Sequence, residues 1–223
     1  MPGVCIILAK NVVNIYGTEG ENKMNQDELR SRLIDGTIRV IAQEGLDKAT
    51  TKQIGTTTGI NEAYIYRCFF DKVDLFSKTF DRLDEELAAK TMQHINIMYM
   101  PELSFDMRCK FYFSAIWGFL VGNRDKCLAF MQYYYSPYFA KNSYENHKIR
   151  FQPLVGAISP AFRPEANVWM ILNHIFDSML SFAVKVHNGQ MPRNDNYTEH
   201  VFRVIYASVR IYFKGYEERE SAI

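Results

Sequence analysis

The chain has 223 residues, of which 14% are aromatic and 23% charged, and its formal net charge is +1. This length suits one small and one larger domain with a sizeable core, and the near-neutral balance excludes binding through a broad basic footprint. No apolar run approaches the roughly 20 residues of a transmembrane helix, and the segment from Val4 to Ala9 is too short and too weakly flanked for a signal peptide.

The four cysteines (Cys5, Cys68, Cys109, Cys127) are scattered, with no CxxC and no histidine at ligand spacing. They read as reduced thiols, neither a disulfide frame nor a zinc site. No metal and no cofactor is expected. Catalysis finds no motif, since GxSxG, HExxH, GxGxxG and the P-loop are all missing and the five histidines lie far apart. The bounds together suit a cytoplasmic protein without membrane association.

In chain order, residues 1–23 fit no helical pattern and end in a polar, turn-like run from Gly17 to Lys23. They read as an N-terminal extension, or as sequence upstream of a native start at Met24. A first helix follows from about Gln26 to Glu44, with Leu33, Ile34, Thr37, Ile38 and Ile41 at inward spacing, and runs into Gly45. Thr50 or Thr51 caps a second, short helix. Ile54 points inward from it, and Gly59 ends it by supplying a positive φ. Ile60 plugs the corner, and Asn61 caps a third helix whose buried position is Ile65. The other face of that helix presents Glu62, Ala63, Tyr64, Tyr66 and Arg67. Asp71 and Asp74 fit a capping box for a fourth helix, with Lys72 in its first turn.

Two short helices joined by a tight turn containing glycine form the unit that sets a recognition helix in the major groove. The run from Ile41 to Leu75 also resembles the DNA-binding domain of the tetracycline-repressor (TetR) family. Thr51, Ile54-Gly55, Gly59-Ile60, Tyr66, Phe69, Lys72 and Leu75 stand at that family's spacing. The sequence departs from the pattern at Gly55, where alanine is usual, at Thr58, at Glu62, where a base is common, and at Cys68, where an aromatic is common. The resemblance implies an all-α chain: a three-helix DNA-binding domain over 24–75, then a six-helix regulatory bundle over 76–223, about nine helices in all. It also implies a palindromic double-stranded DNA operator.

The candidate DNA-binding residues are Thr51, Lys52, Asn61, Glu62, Ala63, Tyr64, Tyr66, Arg67 and Lys72. Tyr66 reads equally as a packing residue, and Lys72 either as a phosphate contact or as a solvated surface lysine. Phosphate contacts fix register without carrying sequence information. An acid at position 62 repels phosphate but can accept from a cytosine amino group. The domain is not basic: Arg30, Arg32, Arg39, Lys48, Lys52, Arg67 and Lys72 stand against Asp27, Glu28, Asp35, Glu44, Asp47, Glu62, Asp71 and Asp74. A few bases clustered at the groove face, helix N-termini and dimerisation would together have to supply the affinity.

Beyond Leu75 apolar residues recur at helical spacing. The fourth helix is expected to run to about Met98, with Pro101 after it, and a fifth from about Ser104 to Val121. A sixth spans about 124–135, stopped by Pro137, and a seventh about 143–158. An eighth runs from Pro164 to His187 and a ninth from about Tyr197 to Tyr216. The eighth, PEANVWMILNHIFDSMLSFAVKV, is apolar around most of its circumference and must be covered on more than one side. In the family the last two helices form a four-helix bundle across a two-fold axis. By that order Ile171, Ile175, Met179, Phe182, Val201, Ile205, Ser208, Val209 and Tyr212 are candidates for a homodimer interface, the alternative being that both helices are interior.

The fifth to seventh helices are rich in aromatics. Phe105, Tyr112, Phe113, Trp117 and Tyr134, joined by Trp169, His174 and Asp177, are candidates to line a pocket for a small-molecule effector. Trp117 and Tyr112 lie mid-helix, where the family's cavity lies. Aromatics at helical spacing also make ordinary core, and a core pairing explains Asp177 as well as a cationic ligand does. The sequence therefore reads as a dimeric DNA-binding regulator, most simply a repressor released by a hydrophobic or aromatic molecule. A ligand-free DNA-binding scaffold and an all-α enzyme are the other classes.

Overall fold

The computed structural model describes residues 25–216, and the extension expected over 1–23 lies outside them. Among the described residues the chain is all-α, with ten α-helices. The first is α1, Gln26–Glu44. The Asn25 side chain accepts from the Glu28 N–H at 2.8 Å to start it, and Gly45 leaves it at φ +94°. Thr50 and Gln53 form a reciprocal capping box on α2, Thr51–Thr58, so Thr50 and not Thr51 is the cap. Gly59 then turns the chain in the left-handed region at φ +69°. Asn61 caps a 3-10 turn, Glu62–Tyr64, which passes directly into α3, Ile65–Cys68.

Close approach explains two of the small residues in this domain. A Cβ on Gly55 would meet the Ile60 carbonyl oxygen at 2.8 Å, so the turn into the recognition segment packs against bare backbone. A Cβ on Gly36 would fall 2.1 Å from the Thr58 γ-methyl, so α1 and α2 approach through this pair. Leu33, Ile41, Ile54, Ile65, Leu75 and Phe76 fill the core between them.

The next helix, α4, Lys72–Gln93, starts beside the helix–turn–helix and runs on into the larger bundle. It ends earlier than the apolar spacing suggests, and the chain continues as a 3-10 segment, Ile95–Tyr99. Then come α5, Phe105–Gly122, and α6, Arg124–Tyr134. Pro137 stops α6 as expected, but it also takes the first position of an additional short helix, α7, Pro137–Asn142, where its missing N–H is no loss. That is the tenth helix. After α7 come α8, Tyr144–Ile158, and α9, Val168–His187, which Asn167 caps; residues 164–166 are turn rather than helix. Last is α10, Asp195–Val209, shorter than expected because a 3-10 turn, Arg210–Tyr212, follows it. Phe213 then pairs with Phe162 in an isolated antiparallel bridge.

An aromatic hub centred on Phe80 of α4 holds the bundle together: its ring lies 5.0 Å from Phe130, 4.8 Å from Tyr133 and 5.3 Å from Phe139. α6 packs on α1, α4 and α9, placing it between the DNA-binding domain and the far helices. No helix among the described residues is long and apolar enough to cross a membrane.

Candidate functional site

The exposed face of the recognition segment carries Asn61, Ala63, Tyr64, Tyr66 and Arg67, with Lys52 exposed at the start of α2. Tyr64 is 42% and Tyr66 56% exposed, so neither is a core residue. The Arg67 guanidinium lies 4.9 Å from the Tyr64 ring centroid, a cation–π contact that orients both toward solvent. Beneath them Ile65 and Cys68 are buried and anchor the segment. The face offers aromatic edges, a hydroxyl pair, an amide and a guanidinium, the groups that read base edges and grip phosphate.

Three expected DNA contacts are placed differently. Thr51 is buried, and its hydroxyl donates to the Glu62 carboxylate, so it turns away from the face. Glu62 is thereby held against α2 and half-buried, which explains how an acid is tolerated where a base is common. Lys72 is half-buried, donating to the Ala49 carbonyl at 3.2 Å and lying 5.2 Å from the Phe76 ring. Two further bases are spent inside the domain: Arg30 donates to the Cys68 carbonyl at 2.6 Å and Arg32 to that of Thr58 at 3.1 Å.

Residues 33–79 match the family model described as bacterial regulatory proteins, tetR family. The chain carries a TetR-family DNA-binding domain. Solved structures of TetR-family regulators share the fold along most of the chain. One from Marinobacter aquaeolei VT8 is 13% identical, with a TM-score of 0.67, over 81% of this chain and 95% of that one. FadR from Bacillus subtilis, in complex with stearoyl-CoA, is 16% identical, with a TM-score of 0.61, over 78% and 96%. A regulator from Haemophilus influenzae Rd is 16% identical, with a TM-score of 0.56, over 82% and 96%. At these identities the likeness is one of fold. No curated protein matches the chain. The chain thus shares the fold of these regulators, and its residues 33–79 match their family model.

The larger bundle holds an apolar cavity of about 100 Å³ between α5, α8, α9 and α10. Tyr112, Phe113, Leu154, Phe176, Met179 and Phe202 are among its walls. Tyr112 donates its hydroxyl to the Thr91 carbonyl at 3.2 Å, so it shows the cavity only its ring, and burial raises the phenol well above its ordinary pKa.

Of the eight expected pocket residues, Tyr112 and Phe113 line this cavity; the other six lie elsewhere. Trp117 is buried, stacked on Phe113, and donates Nε1–H to the Thr198 hydroxyl at 3.0 Å, outside the cavity. Phe105 packs edge-on against Phe213. Tyr134 donates to the Asn173 side chain at 3.2 Å, and Trp169 packs against His147. Asp177 is half-buried and accepts from the exposed Tyr135 hydroxyl at 2.8 Å, a partner at the end of α6 rather than in the core. His174 is exposed and shares a 2.9 Å hydrogen bond with Ser208.

The residues expected at an interface are mostly covered by their own subunit. Ile171, Met179, Val201, Ile205 and Val209 are buried within the protomer. Ile175, Met179, Ile205 and Val209 in fact line the cavity. Phe182 and Tyr212 are half-buried, and Ser208 alone of that set is exposed. The outward faces of α9 and α10 are instead Met170, His174, Val204, Ala207 and Ser208, continued by Ile211. A helix apolar on two sides does not announce which stripe its own subunit covers. Two of the missed cavity residues follow the same logic, because Ile175 and Met179 stand in the stripe expected to face a partner.

One further cluster joins the two domains' shared helix to the cavity wall. Asp84 of α4 is fully buried, 2.7 Å from His147 Nδ1 and 2.7 Å from an Arg150 nitrogen, both on α8. Arg150 also reaches Asp81 at 3.1 Å and Glu85 at 3.2 Å.

Proposed function

We propose that this protein is a ligand-responsive transcriptional repressor of the cytoplasm, released from its operator by a small hydrophobic molecule. The observation that carries this reading is an apolar cavity whose walls share helices with the supports of the DNA-binding domain. Nearly all the surface facing the cavity is hydrocarbon, ring face or sulfur. That favours an alkyl chain or apolar ring over the lipophilic cation that Asp177 had suggested. The long acyl chain of the FadR ligand belongs to the same chemical class.

At about 100 Å³ the void is smaller than the ~300–1,000 Å³ of ordinary ligand pockets, so an entering molecule must push its walls apart. Leu154 and Ile158 form part of the α8 wall, and one to three turns earlier on the same helix His147 and Arg150 grip Asp84 of α4. On α9, Ile175 and Met179 form a second wall, while Asn173 and Asp177 accept from Tyr134 and Tyr135 at the end of α6. Displacing α8 or α9 thus pulls on α4 and α6, and both carry the DNA-binding domain. The ligand acts only through its differential affinity for the DNA-competent and released states.

The operator is double-stranded and palindromic on this reading, because the protein acts as a homodimer. The outward stripe of Met170, His174, Val204, Ser208 and Ile211 meets its own copy across a two-fold axis. Recognition helices then lie about 34–36 Å apart, or a further turn apart. Lys52, Asn61, Ala63, Tyr64, Tyr66 and Arg67 face the groove, while Thr51, Glu62 and Lys72 hold that face in shape.

The test is fluorescence anisotropy on DNA from upstream of the protein's own gene. It is read alone and with alkanols, alkylbenzenes and fatty acids of increasing length, beside thermal unfolding with the same compounds. Stabilisation together with loss of DNA binding by one length class supports the reading. DNA binding that no compound alters would leave a ligand-free DNA-binding scaffold.

A further inference from the structure

Phe70 is 90% exposed, the most exposed of the large hydrophobic side chains among the described residues. It follows the recognition helix directly and precedes the N-terminus of α4. Its neighbour Phe69 is buried, under the Arg30 guanidinium at 4.8 Å, so the two rings point to opposite sides of the chain.

The turn that holds Phe70 is firmly built. The Phe70 N–H donates to the Asp74 carboxylate at 2.9 Å, and the Asp71 carboxylate accepts from the Asp74 N–H at 2.8 Å. Both acids are thus turned onto backbone donors, and the side chain left projecting between α3 and α4 is a phenyl ring. Exposing a phenylalanine forgoes the burial that would otherwise help hold the fold. A turn that leaves one exposed three residues after Arg67, on the chain leaving the recognition helix, offers the DNA face one more group.

The shortage of free positive charge points the same way. Three of the domain's seven bases, Arg30, Arg32 and Lys72, donate to backbone carbonyls within it. Those bonds fix the side chains without cancelling their charge, and with seven bases against eight acids in the domain, uncharged contacts have a share of the affinity to carry.

We propose that Phe70 is a DNA-contacting residue, its ring set against the sugar edge or a thymine methyl flanking the bases that the recognition helix reads. The proposal rests on the helix–turn–helix binding DNA, and its test separates the two. Full-length wild-type protein first selects duplexes from a random-sequence pool. The enriched duplex is then titrated with wild type, Phe70→Ala, Phe70→Lys and Arg67→Ala across a salt series.

Phe70→Ala should weaken binding about tenfold, with the slope of log affinity against log salt unchanged, because no ion is released by a phenyl ring. Arg67→Ala should flatten that slope by about one, and Phe70→Lys should steepen it by about one. Since Phe70 is almost wholly exposed, Phe70→Ala should leave thermal unfolding unmoved, so loss of binding cannot be loss of fold. Phe70→Ala binding within twofold of wild type would overturn the proposal alone. Failure of the wild-type protein to enrich any duplex would overturn the DNA reading and the proposal with it.

Discussion

Gln132 of α6 accepts a 2.7 Å hydrogen bond from the backbone N–H of Leu46, just past the end of α1. The same side-chain amide donates to the Ile41 carbonyl at 3.0 Å. One residue of the larger bundle thus partners the otherwise unbonded Leu46 N–H and adds a second donor to the Ile41 carbonyl, which already accepts from the Gly45 N–H at 3.0 Å. Helix ends need such partners because their last carbonyls have none within the helix.

Gln132→Ala should therefore loosen communication more than it loosens the fold. The stability loss is expected to be about 1–2 kcal/mol, from one abandoned donor in a part-buried site. The ligand-induced drop in DNA affinity should shrink severalfold, while affinity for DNA without ligand changes less than threefold. Anisotropy titrations with and without the active hydrophobic compound read both quantities. An undiminished ligand effect would remove Gln132 from the transmission path.

The pairing of Gly36 with Thr58 yields a sharper test of packing. Gly36→Ala places a methyl group 2.1 Å from the Thr58 γ-methyl and should cost about 1–3 kcal/mol through overpacking. Thr58→Ser removes that methyl and keeps the hydroxyl, which donates to the Ile54 carbonyl at 2.8 Å. The double variant should recover most of the loss. Chemical denaturation of all four proteins measures the coupling, and additive losses would contradict the geometry.

That pair also shows where reading the sequence stops. The helix–turn–helix was legible because its signals are local: Thr50, Gly59, Asn61 and Asp71 act on backbone groups within three residues. Thr58 looked like a departure from the pattern, yet it complements Gly36 on another helix, a relation that spacing alone does not reveal. The regulatory half was legible as helices and not as faces. α9 and α10 are apolar on two sides, and only tertiary packing decides that Ile205 lines a cavity while Val204 faces out. Trp117 and Asp177 were singled out for size and charge, but each has a partner that sequence distance hides, Thr198 and Tyr135.

Asp84 is the charge whose removal should matter most. It is fully buried and is shared by His147 and Arg150. Asp84→Ala leaves Arg150 with its more exposed partners and His147 without one, and should destabilise by about 3–5 kcal/mol. Glu85→Ala, at a more exposed arm of the same cluster, should change stability by under about 1 kcal/mol. Equal losses for the two would mean that burial of the cluster is unimportant.

Cys109 and Cys127 should separate cleanly under alkylation. Cys109 is half-buried and contributes to the cavity wall, whereas Cys127 is buried among apolar groups that push its thiol up to about 12. Iodoacetamide should label Cys109 and spare Cys127 in the folded protein, as read by peptide mass mapping. A compound seated in the cavity should slow the labelling of Cys109. Labelling of Cys109 at the same rate with every stabilising compound would place the ligand elsewhere.

The buried acids also set how the fold responds to alkali. Burial raises Cys127 from its ordinary value of 9.0 to about 12. Burial first, then the nearby Asp177 and Asp84 charges, raises Tyr134 from 10.0 to about 12. Both groups are neutral when protonated, so the folded state holds these protons more tightly than the unfolded chain does. Their contribution is complete below pH 9 and is lost as pH climbs toward about 12. Stability should therefore be flat with respect to these groups at neutral pH and fall steeply above pH 9. Cys127→Ala should flatten the first part of that fall, because its thiol begins to ionise in the unfolded chain before any tyrosine does. Denaturation midpoints collected from pH 7 to 11 measure it, and a wild-type curve identical in shape to that of Cys127→Ala would show that the thiol is not desolvated in the fold.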